Sequence, residues 1–213
     1  MIDLSYWYGH QSDVLTYTGE HIRLTVITIA VSLAIAVPIG TVVARYHALY
    51  TPVLGTFGII YTIPSLALLT VLEDYVGIGP TNAVIALVAY AQFILIRNVV
   101  VGLRGVDPAA KDAARGMGMN AWQILWKIEY PLALPVILAG LRIATVATIA
   151  IASIAYVIDA GGLGKLLFDG ISSSYNSEIE VGAIAVSLLA IAADILFRII
   201  DRFLPATRAR SGR

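Results

Sequence analysis

Leu24 to Ala44 reads LTVITIAVSLAIAVPIGTVVA, 21 residues without a charged side chain. A helix needs about 20 apolar residues to cross ~30 Å of hydrocarbon, so this stretch is expected to span a bilayer. Four more stretches have the same character. Val53–Leu72 is uncharged, Ala83–Leu103 carries only Arg97, Leu132–Ile158 is interrupted only by Arg142, and Val181–Ile200 holds Asp194 and Arg198. Backbone in lipid must satisfy its own hydrogen bonds, and the short alternating segments of an outer-membrane barrel are missing. The expected fold is therefore an all-α integral membrane bundle of about five transmembrane helices, forming one domain over residues 1–213.

Composition agrees. The chain has 213 residues, 59% hydrophobic and 13% charged, with a mean hydropathy of +0.84. Soluble domains are nearer half apolar and a quarter charged. Fourteen basic and fourteen acidic residues cancel, and cysteine is absent. Nothing here calls for nucleic acid, a disulfide or a thiolate metal site. The histidines His10, His21 and His47 form no i, i+4 pair, so no metal site is expected.

Basic residues orient the bundle. Grouping alternate loops puts eleven of them, from Arg45 through Lys127 to Arg213, on one side, against Arg23 and Lys165 with nine acids on the other. The N-terminus is expected outside and the C-terminus inside. Residues 1–21 contain no lysine or arginine before His21 and so lack the basic start of a signal peptide. They read as an external polar leader, an interfacial segment anchored by Tyr6, Trp7 and Tyr8. Residues 201–213 form a basic cytoplasmic tail.

The segment between the third and fourth spans, residues 104–131, reads RGVDPAAKDAARGMGMNAWQILWKIEYP. A connection between membrane helices can be far shorter, and this one has helix grammar of its own. Asp107 is placed to cap a helix with Pro108 at its first position, ending at Gly116 or Gly118. Asn120 with Gln123 makes a capping box for a second helix, and Pro131 restarts the chain toward the fourth span. Two helices and a glycine turn would make a projecting bracket, with Trp122, Leu125 and Trp126 as anchors for a partner's groove. Lying flat in the membrane interface is the other reading of those tryptophans.

Asp112-Ala113-Ala114, three residues, Gly118, nine residues, then Ile128-Glu129-Tyr130-Pro131 resembles the EAA loop of ABC-importer permeases. Asp112 stands where glutamate is usual and Tyr130 where leucine is usual. The resemblance extends through Thr62–Leu69, Gly77–Pro80, Arg97-Asn98, Ala114–Met119, Pro131–Pro135 and Ala160–Gly164 to the osmoprotectant branch, importers of glycine betaine, choline or carnitine. Methionine-importer permeases are similar in size and loop. The resemblance implies a multi-pass cell-membrane protein whose loop docks on a cytoplasmic ABC ATPase dimer. Asp112, Ala113, Ala114, Gly118, Asn120, Trp122, Leu125, Ile128 and Pro131 would be the coupling residues. It also implies a separate extracytoplasmic solute-binding protein, ATP and magnesium held by the ATPase rather than by this chain, and no catalytic residue of its own. Five helices enclose a path poorly, so a second permease copy, identical or not, is expected. Small residues (Ala139, Gly140, Ala144, Ala147, Gly182, Ala185) allow close helix packing in lipid.

Other candidates are weighed on chemistry. Gly161-Gly162-Leu163-Gly164-Lys165 is no phosphate loop, because Asp159 and Leu166 occupy the positions that need glycine and a hydroxyl. It reads as an external turn. Tyr61, Thr62, Pro64 and Ser65 form a proline bend with hydroxyls, either a plain kink or a lining of the translocation path; the family's use of this helix favours the path. Asp194 and Arg198 are spaced to pair along one face. Arg97, Asn98 and Arg142 read as braces for the loop, with lipid phosphates as the alternative. Tyr61, Tyr75, Tyr90 and Tyr156 are aromatic candidates for a cationic solute that spacing alone does not gather. A secondary transporter or channel would need inverted repeats or midplane ion ligands, and a membrane enzyme would need a clustered acid–base site. The sequence offers none of these.

Overall fold

A computed structural model describes residues 5–203, and no strand occurs among them. The helices are α1 (Ser5–Gly9), α2 (Gln11–Arg45), α3 (Tyr50–Thr62), α4 (Ser65–Val76), α5 (Pro80–Arg104), α6 (Pro108–Gly116), α7 (Ala121–Ile124), α8 (Tyr130–Ala152), α9 (Gly164–Ser173) and α10 (Asn176–Phe203). Most of the basic tail lies outside the described residues. Four helical runs are long and apolar enough to cross a membrane: α2, α5, the run from Ala121 to Ile158, and α10.

The fifth expected span is not one helix. The Val53–Leu72 stretch is divided between α3 and α4, which meet at 99°. Pro64 has no N–H to donate and disfavours helical backbone in the residue before it. Ile63 accordingly turns extended, at φ −65° and ψ 131°, and its N–H reaches back only to the Ile60 carbonyl.

Helix α5 is the centre of the molecule, packed between α2 and α8 with α3 and α4 across it. Ala91, Leu95, Ile96 and Val100 meet Ala36, Val43 and Leu54 in one cluster, and Val99 and Leu103 meet Leu125, Ala133 and Ile137 in another. Small residues set the spacing. A Cβ on Gly40 would lie 2.7 Å from Val99, and one on Gly140 would lie 2.3 Å from the Asn98 side chain. Ala144 is buried in the core, and Gly182 faces Leu166 of α9. Three of the small residues expected to admit a second copy therefore serve packing within the chain.

The N-terminal leader is also built in. Residues 11–21 are the first turns of α2, not a segment apart. Tyr6 is buried with Val14, Leu163, Leu166 and Val181, its backbone N–H donating to the Ser177 hydroxyl at 3.0 Å, while Tyr8 alone of the expected anchors is largely exposed. Val14, His21, Thr25, Thr28 and Ser32 recur at helical spacing on the buried face of α2. That periodicity outweighs the segment's polarity.

The glycine cluster is pinned rather than loose. Gly161 and Gly162 take φ of +76° and +84°, a conformation that costs glycine little. The Gly162 N–H donates to Glu20 at 2.9 Å and the Leu163 N–H to His21 Nδ1 at 3.3 Å. The other His21 nitrogen, Nε2, donates to the Ile149 carbonyl at 3.0 Å. These bonds seat Gly164 against the preceding turn, where a Cβ would come 2.0 Å from the Ser153 carbonyl oxygen. Backbone cannot yield there as a side-chain tip can. Gly164→Ala is expected to lose about 3 kcal/mol or more, at the upper end of overpacking costs. Gly19→Ala, with nothing within 4 Å of its Cβ, should melt no lower than the parent in detergent, and equal melting of the two variants would refute the assignment.

Candidate functional site

The bracket forms as its caps dictate. Asp107 Oδ1 accepts from the Ala109 N–H at 2.9 Å, with Pro108 opening α6. Gly116 ends α6, and Gly118 takes φ +80° while the Met119 N–H returns to the Ala114 carbonyl at 3.1 Å. Asn120 and Gln123 exchange both capping-box bonds at 2.9 Å. The second helix does not stop before Pro131, however. It runs from α7 through a π-turn, Leu125–Glu129, straight into α8. The Tyr130 N–H donates five residues back, to the Leu125 carbonyl. This wider turn places Pro131 in the first turn of α8, where a missing N–H is tolerated. The bracket is continuous with a membrane-length helix.

Its two faces differ sharply. Trp122 is 67% exposed, and Met117, Trp126, Asp112, Ala113, Asn120 and Pro131 also face outward. Trp122 meets Trp126 edge-on at 5.6 Å, and Trp126 stacks on Tyr130 at 4.7 Å, giving an outward aromatic ladder. Among the described residues Asp112 pairs only with Arg115 on its own helix, at 2.7 Å. Ala114 is buried and Ile128 half-buried. Leu125, expected as an outward anchor, is only 7% exposed and packs on Leu103, Val106, Ala133 and Ile137. One residue before Trp126 is a rotation of about 100°, which turns Leu125 into the bundle.

The inner face carries the residue whose role the sequence concealed. Glu129 is 2% exposed, with one carboxylate oxygen 2.5 Å from Arg45 at the end of α2 and the other 3.4 Å from Lys111 on α6. Next to it Tyr130 and Thr41 share a 2.5 Å hydroxyl contact. Arg104 at the end of α5 donates to the Val43 and Ala44 carbonyls of α2 at 2.7 and 3.3 Å, and lies 5.1 Å from the Tyr50 ring centroid. The ends of α2, α5 and α8 are thus tied to α6. The available signal was one acid flanked by the bulky residues Ile128 and Tyr130, where the other acids of the segment, Asp107 and Asp112, are followed by Pro108 and Ala113.

At the α3–α4 corner, Tyr61, Thr62 and Pro64 are exposed and Ser65 is half-buried. The Ile63 carbonyl, stranded at the corner, accepts from the Tyr90 hydroxyl at 2.9 Å. The Tyr61 ring lies 6.1 Å from that of Tyr90 and 5.4 Å from that of Phe93. Tyr75 is exposed at the far end of α4, and Tyr156 donates to Asp169 at 2.7 Å; neither joins this group.

Arg142 does not brace the bracket. It pairs with Asp194 across the α8–α10 packing, and Arg198 bonds the other Asp194 oxygen at 2.8 Å. Asn98 turns back to the Ile94 carbonyl at 2.8 Å. Arg97 is exposed, and among the described residues it has no ion-pair or hydrogen-bond partner.

Residues 36–205 match the family described as binding-protein-dependent transport system inner membrane component. The osmoprotectant import permease protein OsmW of Salmonella typhimurium is 38% identical over 201 residues, covering 92% of this chain and 94% of that one. The glycine betaine/carnitine/choline transport system permease protein OpuCB of Bacillus subtilis is 34% identical over 190 residues, covering 89% and 88%. A chain of the inward-facing MetNI methionine ABC transporter has a similar fold, with a TM-score of 0.79, 22% identity, and 90% of this chain and 95% of that one covered.

The clamp is testable on stability. Glu129→Gln keeps the shape and removes the charge. Arg45 and Lys111 reach water more readily than Glu129 does, so the cost is expected near 1–2 kcal/mol, below that of a fully buried pair. A double-mutant cycle of Glu129→Gln with Arg45→Met in detergent melts should show coupling of at least about 0.5 kcal/mol. Strict additivity would disprove the clamp.

Proposed function

Because this chain belongs to the family of binding-protein-dependent transport system inner membrane components, we propose that it is the permease of an ATP-driven importer of osmoprotectants in the glycine betaine, carnitine and choline class. The solute reading rests on the names of the relatives above, which align over most of both chains. A methionine-type amino acid importer is the second reading; its support is a shared fold at 22% identity, which carries no information on the solute.

The observation that carries the mechanism is the bracket. One face offers Trp122, Trp126 and Met117 to a partner, while the other is locked into the bundle through Leu125 and Glu129. Buried aromatic anchors of this kind dominate protein interfaces. In this proposal the bracket lies in the cytoplasm, on the side where Arg45, Arg104, Lys111, Arg115 and Lys127 gather. It docks on an ATPase dimer, and ATP with magnesium resides there. Closure of the ATPases moves the bracket as a rigid piece, because α7, the π-turn and α8 are one continuous rod. The clamp passes the motion to α2 and α5. The path then opens outward to a loaded binding protein, and hydrolysis resets it. Such a cycle moves between two discrete packings. The exposed α3–α4 pair is the surface offered to a second permease copy.

The two faces of the bracket predict opposite phenotypes. Trp122→Ala should reduce ATPase co-purification and uptake at least tenfold with little change in melting temperature. Leu125→Ala should melt about 2–5 kcal/mol less stable, as buried leucine deletions do. An ATPase that still binds Trp122→Ala, and also binds a chain whose residues 109–124 are replaced by a Gly/Ser linker, would overturn the docking. Competition among labelled glycine betaine, choline and methionine for uptake separates the two solute readings, and methionine alone competing would refute the first.

A further inference from the structure

We propose that the α3–α5 face holds a two-part subsite for a zwitterionic methylammonium solute, with Tyr61 and Phe93 against the ammonium and Arg97 against the carboxylate. This rests on the solute class proposed above. Three observations point there.

The first is the contrast among charges inside the spans. Arg142 and Asp194 satisfy each other, with Arg198 beside them. Arg97 stands two turns inside the end of α5, next to Ile96 and near Val99, both almost wholly buried, yet it is exposed and has no partner among the described residues. A lone cation within hydrocarbon costs about 2.5–3.5 kcal/mol on insertion scales, and such residues mark solute paths or water-filled cavities.

The second is the aromatic group beside it. The proline corner brings Tyr61 within 5.4 Å of Phe93, tilted by 33°, and the Tyr90–Ile63 hydrogen bond holds that corner in place. Tyr61 is 39% exposed, and it also borders a narrow seam with Ile94, Ala147 and Ile151. An open aromatic face attracts a quaternary ammonium through its quadrupole.

The third is register. Phe93 and Arg97 are four residues apart, so they share a helix face about 6 Å apart along the axis. A guanidinium on its flexible stem can then grip a carboxylate by two parallel hydrogen bonds while the ammonium of the same small molecule rests on the rings. Choline has the ammonium and lacks the carboxylate, so the two halves of the site can be read separately.

A lipid phosphate would also satisfy Arg97, and the experiment separates the two. The permease, its ATPase and its binding protein are reconstituted in phosphatidylcholine vesicles, and ATP-driven uptake of glycine betaine, carnitine and choline is measured. Arg97→Gln should lower betaine and carnitine uptake at least tenfold relative to choline. Arg97→Lys, which keeps a snorkelling charge and loses the fork, should shift the same ratio by a smaller factor. Tyr61→Leu should lower all three together. An equal fall of all three in Arg97→Gln, or an unchanged ratio in both Arg97 variants, overturns the carboxylate site and indicates a headgroup anchor. Where the wild type carries only carboxylate solutes, Arg97→Gln must abolish their uptake while the variant's melting temperature in detergent stays near the parent's; a parallel fall in both overturns the site. A wild-type complex that takes up none of the three refutes the solute class itself, and the subsite with it.

Discussion

A carboxylate taken out of water has to be matched by charge, and Glu129 is matched from two directions at once. Arg45 closes α2, Lys111 belongs to α6, and Glu129 lies in the π-turn that leads into α8. Three pieces of chain far apart in sequence are held by one group. Around it Arg104 caps the carbonyls of α2, and Tyr130 meets Thr41. Leu103, Val106, Leu125 and Ile137 pack into one buried cluster at this end of the bundle, while Arg45 keeps its side of the ion pair open to water. The end of the bundle is therefore cross-tied, with α2, α5 and α6 all joined at the root of α8.

The opposite character belongs to α3 and α4. Their residues are mostly exposed; Tyr90 bonds Ile63 at the corner between them, and Asn82 holds the far half of α4 through the Leu69 and Gly77 carbonyls. Elements with few buried contacts are those that open or move most readily. The molecule thus joins a cross-tied bracket to a lightly held pair of helices through the buried rod of α5. In the proposed cycle the first would transmit motion and the second would line or gate the path.

Much of this was legible from residue order. Apolar runs of membrane length, carrying at most two charges each, identify α2, α5, α8 and α10, because backbone in lipid has no other way to satisfy itself. The caps at Asp107 and Asn120 and the turn at Gly118 were also readable, since each depends on neighbours within a few residues. The outward tryptophans follow from their spacing of four. Other features were misread for reasons that spacing cannot supply. Residues 11–21 look like a polar leader until α9 and α10 provide a surface for Tyr6, Val14 and His21. Leu125 looks like a partner's anchor until the π-turn sets its direction.

Local chemistry, then, determined which segments are helices, where they are capped and where proline interrupts them, because hydrogen bonding and backbone sterics act over a handful of residues. Only the assembled bundle decided what those residues do to one another. It paired Arg142 with Asp194, buried Glu129 between Arg45 and Lys111, opened the second span into a 99° corner and, among the described residues, left Arg97 without a counter-charge. The physical reason is that charge pairing and burial depend on distance in space, and in this chain residues 84 positions apart form an ion pair and residues 172 apart a hydrogen bond.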